Sequence, residues 1–162
     1  MKILKLRFLP AVVCVSLLGI GGVQAADDPN LARVWAVTPK PGMDQQLEDA
    51  MKAHNKWRVD NGDPWSWSTY HRSTGDDLGT WFIRSGNHTY ADFDAYGDSE
   101  FAKKAYEHWM ANVEPYVANS ASHLSENLPD LSHWPADAGP HEWYWVYTYK
   151  LKPGNGRAFV AA

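Results

Sequence analysis

Apolar positions in this chain recur at two spacings, and each spacing predicts a different element. Residues 33–38, "RVWAVT", are a short β-forming run closed by Pro39-Lys40-Pro41-Gly42. Met43, Leu47, Ala50, Met51, His54 and Trp57 then repeat every three or four residues, placing them on one face of a helix that runs to Val59. Asp44 lies in its first turn, where negative charge suits the helix dipole, and Asn61-Gly62-Asp63-Pro64 ends it. Trp65, Trp67, Thr69 and His71 alternate with other residues, so residues 65–72 read as a strand with one face against a core. A turn at residues 73–79 and a second strand at 80–85 complete a hairpin.

Thr89 and Asp92 have the spacing of a capping box, opening a short helix that carries Phe93 and Tyr96. A longer helix begins near Asp98-Ser99, with Phe101, Ala105, Trp109 and Val113 on its apolar face until Pro115 interrupts it. Residues 120–128 are serine-rich and read as a poor strand at a sheet edge. The order is strand, helix, strand, strand, helix, strand. It predicts an α+β fold, the ferredoxin-like βαββαβ plait, with an antiparallel sheet and both helices on one face.

The closing stretch "VYTYKLKPGNGRAFVAA", residues 146–162, aligns with "VWAVTPKPGMDQQLEDA", residues 34–50, with five identical positions that include Lys-Pro-Gly. We read it as the start of a second repeat. The expected organisation is a plait unit at 32–128, a proline-containing linker at 129–141, and at 142–162 the first strand and helix start of an incomplete second unit. An unpaired aromatic strand at 143–149 is a sticky edge, so self-association as a homodimer, or pairing of repeats within the chain, is expected.

Residues 1–25 change the picture of compartment. Lys2, Lys5 and Arg7 precede an apolar run, and Val23-Gln24-Ala25 offers small residues at a cleavage site, as in an export signal. The apolar run is short for a membrane span, so no membrane association is expected after cleavage; the protein is expected to be periplasmic or extracellular. The single cysteine, Cys14, lies inside this segment, which leaves the remainder without a disulfide or a thiolate nucleophile. The formal charge of −4 becomes more negative once Lys2, Lys5 and Arg7 leave, and no basic cluster exceeds Lys103-Lys104. Nucleic acid is therefore excluded as an expected partner.

With "RVWAVTPKPGMDQQLEDAMKAHNKW", "WSWSTYHRSTGDDLGTWFIRSG" and "TYADFDAY" in view, the chain resembles the dimeric α/β-barrel superfamily. It is most similar to exported tandem-repeat proteins of the NIPSNAP type. The resemblance covers residues 32–128 and the closing repeat. It implies two plait units packed sheet to sheet. It does not select a reaction, since relatives include cofactor-free monooxygenases, haem-handling enzymes and proteins without known activity.

Nine tryptophans are the loudest compositional signal. Trp57, Trp67, Trp81 and Trp109 are the candidate ligand-binding residues, lining a pocket for a small apolar or aromatic molecule; the plain alternative is a core filled with large rings. His54, His71 and His108 are the candidate catalytic residues. His54 and His108 stand on different helices and could converge, with His71 joining from the hairpin. No pair has zinc-helix spacing and Asp76-Asp77 reads as turn chemistry, so no metal is expected. No cofactor is expected either, although haem stays open because it needs one well-placed imidazole. Asn87-His88-Thr89 fits a glycosylation sequon. The favoured reading is an exported small-molecule-binding protein. A monooxygenase-like or haem-handling enzyme and a non-catalytic self-association module are the alternatives.

Overall fold

A computed structural model describes residues 29–133, 139 and 141–162. The expected export signal at 1–25, and linker residues 134–138 and 140, lie outside the described residues. The chain divides into two units, Met1–Asn127 and Leu128–Ala162, each described by itself.

In the first unit the elements are β1 (Leu31–Pro39), α1 (Asp44–Asp60), β2 (Ser68–His71), β3 (Trp81–His88), α2 (Tyr90–Gly97), α3 (Glu100–Asn112) and β4 (Val117–Glu126). A 3-10 turn at Glu114–Tyr116, carrying Pro115, separates α3 from β4, which is the interruption the proline predicts. The sheet order is β2-β3-β1-β4 with every neighbouring pair antiparallel. This is the ferredoxin-like α+β fold that the sequence pattern predicts.

The ladder register assigns the two faces of the sheet. Val37 stands opposite Trp81 on β3 and Ser120 on β4, and Trp35 stands opposite Ile83 and Ser122. Val37, Ile83 and Val117 bury against Leu47 and Met51 of α1 and Val113 after α3, with Trp35, Trp67, Trp81 and Trp109 packed around them. Val34, Ala36, Phe82 and Arg84 belong to the other face, because side chains alternate along each strand. The capping box forms as predicted: Thr89 Oγ1 accepts from the Asp92 N–H, and the Thr89 N–H donates to the Asp92 carboxylate at 2.7 Å. Ser99 caps α3.

The strands differ in extent from the sequence reading, β1 and β3 by running longer, to Leu31–Pro39 and Trp81–His88. The strand expected over 65–72 is confined to Ser68–His71. Asp63 is the physical reason: its carboxylate accepts from the Trp65 backbone N–H at 2.9 Å and from Trp67 Nε1 at 3.2 Å, tying this segment to the end of α1. The serine-rich edge strand is longer than expected, starting at Val117, and pairs with β1 throughout.

The second unit contains a 3-10 turn at Pro129–Leu131 and a short helix, α4 (Gly156–Val160). The strand expected at 143–149 is not formed. Trp143, Trp145, Val146, Tyr147 and Tyr149 are exposed, and a strand exists only where a ladder partner supplies its hydrogen bonds. The two Lys-Pro-Gly turns are nonetheless built alike. Gly42 and Gly154 take φ of +76° and +84°, values that only glycine adopts without strain. The Met43 N–H donates to Lys40 O and the Asn155 N–H to Lys152 O; Leu47 N–H to Met43 O and Phe159 N–H to Asn155 O continue into each helix.

Candidate functional site

Helical spacing turns His54 toward the interior on the same face of α1 as Leu47 and Met51, and it is buried. His108 projects from α3 to meet it, and the two Nδ1 atoms lie 2.9 Å apart. One ring must donate and the other accept, so at most one of the two can carry charge while this bond is kept. Trp57, nearly one turn after His54, stacks on His108 with ring centres 4.4 Å apart and planes 21° from parallel. Trp109 meets His54 edge-on at 5.4 Å. The His108 ring is thus fixed on one side by a hydrogen bond and on one face by an indole.

His108 also forms part of the wall of an open groove between α1 and α3, with a volume of about 420 Å³. Gln46, Asp49, Ala50 and Ala53 line it from α1, Asn112 from α3, and Tyr116 from the following turn. Ala50 and Ala53 are small, which leaves the space; the remaining lining is amide, carboxylate, imidazole and phenol. Asp49 accepts from Gln45 at 3.0 Å, and Asn112 Nδ2 donates to the His108 carbonyl at 2.9 Å.

Burial lowers the His54 pKa to about 4, with the Arg58 and His108 charges acting in the same direction. His54 is therefore neutral at ordinary pH. In an unfolded chain a histidine titrates near 6.5, so the stability tied to neutral His54 is complete above that value. It is lost as pH falls toward about 4, because the unfolded state takes up a proton that the native state refuses. We expect about 2 kcal/mol less stability near pH 4.5 than near pH 7 from this residue, allowing for partial hydration of the pair. His88, also lowered by burial, contributes in the same sense. Urea unfolding of wild type and His54→Leu at both pH values isolates the His54 part: the variant's pH dependence should be clearly shallower. Equal pH dependence in the two proteins would rule the assignment out.

The structure brings together two of the three histidines singled out by sequence. His71 lies elsewhere, exposed on β2 against its cross-strand partner Trp81, with ring centres 4.5 Å apart. The four tryptophans are likewise dispersed. Trp57 backs His108, and Trp109 packs on His54 while its Nε1 donates to Glu114 at 3.0 Å. Trp67 lies under the Arg58 guanidinium at 4.7 Å, and Trp81 sits beside His71 with its buried Nε1 lacking a hydrogen-bond partner. None of the four lines the α1–α3 groove. Gln46, Asp49, Asn112 and Tyr116 escaped the sequence reading. Polar residues on a helix flank carry no periodic signal, and only the Ala50/Ala53 pair beside them hints at space. Asp76 and Asp77 act in a turn as expected: Arg72 donates to the Asp76 carbonyl, and Asp77 takes a φ of +55°. Among the described residues, no group of three or more His, Cys, Asp or Glu side chains is arranged to hold a metal ion. No described helix is long and apolar enough to cross a membrane.

No protein-family model matches the chain, and no curated protein does. Solved structures with a similar chain path include a candidate antibiotic biosynthesis monooxygenase from Caulobacter crescentus CB15. It is 12% identical, covers 63% of this chain and 92% of its own, and gives a TM-score of 0.44. Another candidate of that kind, from Bordetella bronchiseptica, is 9% identical over 62% of this chain and 98% of its own, with a TM-score of 0.49. A protein from Mycobacterium tuberculosis is 16% identical over 63% and 98%, with a TM-score of 0.45. At such identities and scores the likeness says nothing of chemistry, and the fold assignment above rests on the strand order itself.

Proposed function

We propose that this chain is an exported small-molecule-binding protein whose ligand occupies the α1–α3 groove. The observation that carries the reading is the placement of His108: an imidazole in the groove wall, anchored by His54 and Trp57 so that its ring does not need to be ordered on binding. The lining changes the expected ligand. Gln46, Asp49, Asn112 and Tyr116 offer hydrogen bonds, whereas the indoles that suggested an apolar or aromatic molecule are engaged in packing. We therefore propose a small polar ligand. Haem is not proposed, because a wall of amides and a carboxylate does not suit its apolar faces.

Saturation-transfer NMR with a panel of small polar metabolites tests this reading. Ala53 is exposed in the groove, so Ala53→Arg should fill the space and weaken any hit by at least about tenfold, with thermal stability within about 0.5 kcal/mol of wild type. Hits that bind Ala53→Arg unchanged would place the ligand elsewhere.

The self-association reading is favoured by β4, an edge strand of ten residues exposed at all but Val117 and Ser125. We propose that two copies pair through this edge. The tandem design similar to NIPSNAP-type proteins is supported by the matching hydrogen bonds of the two Lys-Pro-Gly turns and stands as part of the same proposal.

A further inference from the structure

Ligand binding alone does not account for the way the two imidazoles are arranged. We propose that His108 exchanges a proton with the groove's ligand through Nε2, and that His54 is a positioning residue that accepts the His108 Nδ1–H and stays uncharged. The inference rests on the binding reading given above and adds to it a ligand class: small polar molecules bearing a removable proton.

The argument is one of tautomers. His108 Nδ1 is engaged with His54 Nδ1 at 2.9 Å, which leaves Nε2 as its nitrogen for a ligand. If His108 takes a proton at Nε2 it becomes an imidazolium, and its Nδ1–H must then donate. His54 can accept only with a free lone pair at Nδ1, which requires it to be neutral and protonated at Nε2. Its burial on the inner face of α1, with the Arg58 charge nearby on the same helix, favours that neutral state. The neutral resting pair then has His108 protonated at Nδ1 with its lone pair at Nε2, the form a general base needs. The flat contact with Trp57 at 4.4 Å prevents the ring from turning away. Base, orienting partner and stacking support come from the two packed helices α1 and α3.

The probe is 5-nitrobenzisoxazole, with the full chain. His108 Nε2 removes its ring C–H proton, those electrons form the nitrile as the N–O bond breaks, and the oxygen leaves as a coloured phenolate. His108 then returns the proton to water. We expect saturable ring opening by wild type, a loss of roughly 100-fold in His108→Ala, and roughly tenfold lower kcat at similar KM in His54→Leu. Long-range 1H–15N spectra of the wild-type imidazoles should show His108 carrying its proton on Nδ1 and His54 on Nε2, a readout that needs no variant to fold. His108→Gln serves if His108→Ala is unstable. Undiminished turnover in either His108 variant, or spectra showing His54 as the Nδ1 donor, overturns the proposal. A probe that quenches Trp57 fluorescence without being turned over overturns proton transfer and leaves the binding reading standing; a probe that neither binds nor reacts overturns the proton-transfer assignment, and the metabolite panel decides the binding reading.

Discussion

Asp63→Ala is expected to cost about 3–5 kcal/mol of folding stability, a large share of the 5–15 kcal/mol that a domain of this size has. The Asp63 side chain is only 1% exposed and its partner Arg58 only 14%, and they meet at 2.6 Å. Arg58 also donates to the Tyr96 hydroxyl, and its guanidinium lies over the rings of Trp67 and Phe101. Removing the carboxylate leaves a cation without its counter-charge and two donors, Trp65 N–H and Trp67 Nε1–H, without acceptors. Desolvation already pushes the Tyr96 pKa up to about 12, so that phenol stays neutral and does not substitute as an anion. Asp63→Asn keeps an acceptor oxygen of the same shape and should recover part of the loss. Urea unfolding measures both variants; a cost below about 1 kcal/mol for Asp63→Ala would mean that water reaches the pair and that the clasp is not a source of stability.

Leu47→Ala is the second large effect, expected at about 2–5 kcal/mol. Leu47 is fully buried in one cluster with Val37, Met51, Ile83, Val113 and Val117, and α1 and β1 cannot close over the space without breaking their own hydrogen bonds. Val59 provides the internal comparison. It belongs to the same helix but is 77% exposed, so Val59→Ala should stay within about 0.5 kcal/mol of wild type. Similar losses for the two variants would show that α1 is not anchored through the face assigned here.

The fold was legible because its two periodicities are clean. Leu47, Met51 and His54 fall on one helical stripe, and the Thr89/Asp92 and Ser99 caps mark two helix starts. Trp65 was misplaced because alternation cannot see that Asp63 holds its backbone, a contact between a turn side chain and the segment after it. Convergence of His54 and His108 could be raised from sequence, since they stand on different helices of one plait, but their 2.9 Å approach depends on how α1 and α3 pack. The dispersal of the tryptophans was hidden for the same reason. Composition counts rings, whereas a pocket requires that several rings leave room between them, and here Trp57, Trp65 and Trp67 are stacked on His108, on Tyr96 and under Arg58.

β4 has a consequence for anyone handling this molecule. It contains no lysine, arginine or proline, the residues that ordinarily discourage further strands from docking at a sheet's rim. Dilution therefore becomes an experimental variable. Unfolding midpoints and fluorescence should both be compared across protein concentration, because the edge pairing proposed above would tie each of them to how crowded the sample is.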